Sequence, residues 1–204
     1  MAPRTPILHP VAYFESRGFD LWPAAVAVGV ATLSLTLALA GFGVLLSDKL
    51  AAAGHGDASG AVWSVLVSYL VVVVVAMVVG WLLAAGILHL LARAVVGHDG
   101  RFGETLTVVG WGTAPTLLTS LVAFVILALA LDGTTLSSPE AFARQFRANV
   151  QSGSALSHAL SFLVACWQTF LYGRGLAVAF DDDSGTTWLV GGVVAFGGWL
   201  LALF

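Results

Sequence analysis

Ser154 and His158 stand one helical turn apart, and Ser157, Ser161, Gln168 and Tyr172 continue the series at roughly helical spacing. A serine beside a histidine is the start of a nucleophile and its base. Catalysis also needs an oxyanion hole and a group that orients the histidine, and no obvious third member accompanies Ser154 and His158. Two other uses of the same face stay open. A polar interior formed by His158, Ser161 and Gln168 can pass a proton or a small solute. The same groups can instead hydrogen-bond one helix to the next. Lipid does not tolerate such a face, so in either case it is expected to point inward.

A second set of chemical residues lies in HLLARAVVGHDGRFGETLTVVGWGTAP, His89 to Pro115. His89 and His98 are too far apart, and too few, for the tight ligand spacing of a zinc site. His89 precedes Arg93 by one turn, so both are expected to face the headgroups. The single cysteine, Cys166, excludes an intramolecular disulfide and a thiolate cluster. No GxxxxGK[ST] loop cradles a phosphate. The residues therefore point to no catalytic centre, no cofactor and no metal, and to a protein that is not an enzyme.

These side chains must be held by membrane helices. Of the 204 residues, 59% are hydrophobic and 9% charged, against about 25% charged in a soluble domain. Mean hydropathy is +0.96. The net charge of −3 gives no electrostatic footprint for nucleic acid. A spanning helix needs about 20 apolar residues. Five runs qualify as spans, 21–46, 62–91, 106–131, 156–172 and 188–204, of which the fourth is short and polar. The fold expected is an all-α membrane protein, a single domain over 1–204 built as a five-helix bundle. Residues 1–20 lack the apolar core of a cleaved signal.

Lys and Arg in the loops set the orientation. Arg4, Arg17, Arg93, Arg101 and Arg174 fall on one side; Lys49, Arg144 and Arg147 fall on the other. The excess puts the N-terminus in the cytoplasm and the C-terminus outside a cell membrane. Two polar segments read as short interfacial helices. In PVAYFESRGF, Pro10 suits a first turn, and Val11 and Phe14 share a face. In SSPEAFARQFRANV, Ser137 or Ser138 can cap, Pro139 and Glu140 suit the start, and Phe142, Phe146 and Val150 form a stripe. Such helices can lie in the headgroups or cover the bundle.

Small residues mark helix contacts in lipid. Ala76, Gly80 and Ala84 recur every four residues, as do Gly191 with Ala195 and Gly198 with Ala202. They suit a seam between two copies, or packing within one bundle. Pro115, after Gly110, Gly112 and Thr113, removes a backbone donor and should kink or open the third span. An opened helix can build a solute site, or its freed groups can find neighbours.

The stretch His89 to Pro115 resembles the signature region of the Yip (Ypt/Rab-interacting protein) family in its prokaryotic form. The resemblance lies in His89 to Arg93, Gly97 and Gly100, Phe102, Glu104 to Leu106, Gly110 to Gly112, and Ala114 with Pro115. HPVAYFESRGF is similar to the family's pre-membrane helix, with Tyr13 and Phe14 at its aromatic pair. WQTFLYGRGLAVAF is similar to the segment that ends the fourth span, with Gly175 and Leu176 as its Gly-Leu pair. The resemblance implies five membrane helices and a cytoplasmic N-terminus. Eukaryotic members are linked to vesicle traffic and prenylated GTPases and have long cytoplasmic N-terminal regions; the tail here is residues 1–20, so GTPase binding is not carried over.

The function expected is that of a non-enzymatic membrane organiser that recruits a protein partner through the loop of Arg93, Arg101, Phe102 and Glu104. Besides the lipid bilayer and that partner, a second copy of the chain is a candidate associate. The rival reading is a permease for protons or a small solute that uses the kink at Pro115 and the polar face of the fourth span.

Overall fold

A computed structural model describes residues 3–97, 100–135, 138–182 and 185–201. His98, Ser137 and Ala202, singled out above, lie outside the described residues. All regular structure among those described is helical: α1 (Pro10–Arg17), α2 (Leu21–Ala52), α3 (Ala58–Val95), α4 (Phe102–Trp111), α5 (Thr116–Asp132), α6 (Pro139–Ser152), α7 (Ser154–Phe180) and α8 (Thr186–Leu201).

Local chemistry sets the boundaries. Pro10 occupies the first turn of α1, and Gly18, at φ 68°, ends it with its N–H donating to Phe14 O. The Asp20 carboxylate accepts from Trp22 N–H at 3.0 Å and starts α2. Gly54, at φ 81°, ends it. α3 has 38 residues, roughly 57 Å at the usual rise, well beyond a bilayer core. Among the described residues four helical stretches are long and apolar enough to cross a membrane: α2, α3, α4 with α5, and α7. The fifth expected span corresponds to α8, which has 16 residues.

Two spans differ from the hydrophobic pattern. The fourth does not end at Tyr172: α7 runs on through Gly173, Arg174 and Gly175 to Phe180. Gly173 and Gly175 are sites of helix contact. The third is broken, with residues 112–115 in turns between α4 and α5.

The chain divides into two compact units. The first comprises Met1–Ala31, Met77–Pro115 and Ser161–Phe204; the second comprises Thr32–Ala76 and Thr116–Leu160. α2, α3 and α7 each contribute residues to both.

The first unit holds the main core, from Tyr13, Phe14, Leu88, Val108, Trp111, Leu171, Tyr172 and Leu176 with alanines 24, 85 and 92 between them. Phe14 stacks on Phe19 at 4.8 Å, and Tyr13 meets Trp111 edge-on at 5.8 Å. The aromatic pair of α1 is thus buried in protein. Val11, which shares a face with Phe14 in sequence, is half-buried. The residues before α1 are tied down too: Trp167 Nε1 donates to Ile7 O at 2.9 Å, and Arg17 Nε donates to Pro3 O at 3.1 Å.

In the second unit Ser138 is the cap of α6, its hydroxyl accepting from Ala141 N–H at 3.2 Å. Phe142 and Phe146 stack at 5.9 Å, and Phe146 reaches Phe42 of α2 at 5.7 Å. Asn149 Nδ2 donates to Ala130 O at 3.1 Å and to Thr134 Oγ1 at 3.2 Å. These contacts hold α6 against α2 and α5. Lys49 Nζ donates to Leu131 O and to Asp132 O, placing a cation at the carbonyl end of α5. Ser120 Oγ donates to Ser34 Oγ at 3.1 Å, a polar tie between α5 and α2.

Many large apolar side chains remain exposed, among them Val71, Val72, Val75, Leu83 and Leu90 of α3. Exposed apolar side chains of this kind on a long helix suit contact with lipid.

Candidate functional site

The first unit carries the corner where α4 begins. Arg101 N–H donates to Glu104 Oε2 at 2.9 Å. The carboxylate thereby satisfies a donor just ahead of the helix and sits favourably at its positive end. Glu104 is thus engaged in holding the helix start. Phe102 is 43% exposed, and Arg93 and Arg101 are exposed.

Phe102 is held from behind by His89, whose ring meets it edge-on at 5.6 Å. His89 is buried, contrary to its expected position in the headgroups with Arg93. Its Nδ1 lies 3.1 Å from Thr105 Oγ1, and its ring lies 5.8 Å from Phe180. One imidazole so joins α3, α4 and α7. A side chain at Gly100 would strike the Phe180 ring, so the segment entering α4 rests directly on the end of α7.

Beneath the corner, glycines let helices touch. A Cβ at Gly112 would strike the Tyr172 ring, and one at Gly175 would lie 2.7 Å from Val108. A Cβ at Gly173 would come within 3.0 Å of Trp188, and one at Gly191 within 2.9 Å of Gly173 N. Gly191 and Ala195, seen in the sequence as a possible seam between copies, are both buried within this unit. Gly80 has nothing near the position of an added Cβ. Trp81 Nε1 donates across to Leu106 O at 2.9 Å and ties α3 to α4.

The break at Pro115 is answered within the protein. Ala114 N–H donates to Trp111 O at 3.0 Å, and Thr113 Oγ1 donates to Gly110 O at 2.7 Å. Gln168 Nε2 of α7 donates to Gly112 O at 2.9 Å.

The polar series on α7 does not share one environment. His158 and Ser157 are exposed in the second unit. Ser161 and Gln168 lie half-buried in the first, where Ser161 Oγ accepts from Trp199 Nε1 at 3.2 Å. Tyr172 is buried. Among the described residues no three His, Cys, Asp or Glu side chains gather where they would hold a metal.

Hydrophobic pattern alone missed the Arg174 guanidinium over the Trp188 indole, at 5.3 Å. The signal was present: a basic residue in the run YGRG and a tryptophan at the start of the next apolar segment.

No curated protein and no solved structure matches the chain. The family model of the Yip1 domain matches residues 6–204, which takes in α1, the α4 corner and the glycine contacts of α7 alike, and the chain belongs to the Yip family of multi-pass membrane proteins.

Proposed function

We propose that this protein is a non-enzymatic membrane organiser that recruits a protein partner at the corner formed by Arg93, Arg101 and Phe102. The observation that carries the reading is Phe102 itself. It is a large aromatic left 43% exposed at a helix start, backed by a buried histidine and flanked by two exposed arginines. Aromatic and arginine side chains together are the usual anchors of a protein interface. Glu104 serves the same corner by holding the α4 start in place.

In this reading the chain is one membrane domain with five crossings, α8 being the fifth. The N-terminus and the corner face the cytoplasm, in keeping with the excess of arginine on that side. The permease reading is less well supported, because Ser161 and Gln168 are engaged in interhelical hydrogen bonds.

Photo-crosslinking in native membranes, with a photoreactive residue in place of Phe102, tests the proposal. One reproducible protein partner, lost in Arg101→Ala, is the expected result. Crosslinks to lipid or to the chain itself alone would overturn it. Solute flux into liposomes, abolished by His158→Ala, would establish the permease instead.

A further inference from the structure

Two adjoining cavities flank α1 in the first unit. One, of about 340 Å³, is lined by Glu15, Arg174, Asp181, Asp182, Thr187 and Trp188, among others. The second, of about 350 Å³, is lined by Leu8, His9, Pro10, Ala12 and Phe170, among others. Both include Val11, Glu15 and Arg174, so they meet along one edge. The first is charged; the second is mostly apolar, and its Leu8 is 73% exposed. A cleft polar at one end and apolar at the other, on a membrane protein, has the form of an amphiphile.

We infer that this cleft binds one aminophospholipid, with an ethanolamine-type headgroup in the charged cavity and the start of an acyl chain along Leu8 and Phe170. Charge selects the headgroup. Three carboxylates, from Glu15, Asp181 and Asp182, face one guanidinium, so a purely anionic headgroup is repelled. A zwitterionic one offers its phosphate to Arg174 and its ammonium to the carboxylates. Among the described residues Arg174 makes no ion pair; it is held over Trp188 and left with its donors available.

Thr187 supplies an independent observation. It is fully buried against this cavity, and its Oγ1 has no hydrogen-bond partner. A buried hydroxyl without a partner is costly, and a primary ammonium is a donor that would satisfy it. A quaternary choline has no N–H to give. The aromatic alternative for choline is also compromised, since Arg174 already lies over Trp188. The inference does not rest on the proposed partner loop, because Arg101 and Phe102 are absent from both cavities.

The test is native mass spectrometry of the full chain, stripped of lipid in detergent and titrated with phosphatidylethanolamine, phosphatidylcholine or phosphatidylglycerol of identical acyl chains. The wild type is expected to bind one ethanolamine lipid about tenfold more tightly than either of the others. Arg174→Ala, which removes the partner of the phosphate, should weaken binding of the ethanolamine lipid about tenfold, and Thr187→Val should weaken ethanolamine binding while sparing the other two. Arg144→Ala, in the second unit, should change nothing. Equal binding of all three lipids by the wild type would overturn the inference. So would unchanged ethanolamine binding in Arg174→Ala or, should that variant not fold, in the nearly isosteric Thr187→Val.

Discussion

Gln168 of α7 donates its side-chain N–H to the carbonyl of Gly112 at 2.9 Å, three residues before the proline that breaks the helix. The bond couples two features that the sequence presents separately, a polar residue on an apolar helix and a Pro115 inside a span. Each makes sense through the other. The opened backbone needs a donor in a region without water, and the polar side chain needs an acceptor.

Gln168→Leu is therefore expected to destabilise the protein by about 1–3 kcal/mol, since it leaves the Gly112 carbonyl without that donor. Thermal unfolding in a fixed detergent measures it. No change in Tm would mean that the break is sustained without α7.

Glycines at contacts and glycines in the open should respond oppositely. Gly112→Ala drives a methyl into Tyr172 and should cost about 1–3 kcal/mol. Gly80→Ala meets nothing, and the gain in helix propensity is up to about 1 kcal/mol. If Gly80→Ala instead lowers the oligomeric state by cross-linking, α3 is a seam between copies.

Lys49→Met removes the cation that bonds the carbonyls of Leu131 and Asp132. The loss expected is about 0.3–1 kcal/mol from the helix end. Hydrogen exchange should quicken in the last turn of α5 and leave α4 unchanged.

Burial pushes the Tyr13 phenol above its usual value, against the opposing pull of the nearby Arg17 guanidinium. A raised pKa means that the folded state holds its proton more tightly than the unfolded chain. The stabilisation is complete below about pH 10 and is lost as pH rises from there through the raised folded value. Tryptic cleavage after Arg17 should accelerate across that alkaline range, and Tyr13→Phe should blunt the acceleration.

Hydrophobic length revealed most of the helices, because a bilayer imposes one dimension on every crossing. A kink or opening at Pro115 and a serine cap on α6, at Ser137 or Ser138, were legible for a similar reason: proline and serine act on backbone within a turn of themselves. His89 was misplaced in the headgroups because its neighbour Arg93 suggested a shared exposure. What decides its position is Thr105, Phe102 and Phe180, brought from other helices. The end of α7 was misjudged for a related reason. A glycine in sequence does not say whether it bends a chain or admits a neighbour; that depends on Trp188, Val108 and Phe14. His158 belongs to the polar series by spacing, yet the series runs from one compact unit into the other, and spacing along a helix is blind to that division.

The ties that hold the N-terminal segment have a consequence for biosynthesis. Ile7 is bound by Trp167, and Tyr13 packs on Trp111, so α1 emerges from the ribosome long before its docking partners exist. At the ordinary pace of translation the interval between Ile7 and Trp167 is roughly 10–30 s. Throughout it Tyr13 and Phe14 have no completed core to enter. The nascent chain therefore carries Tyr13 and Phe14 through the synthesis of α4, α7 and α8 before the core that buries them is complete.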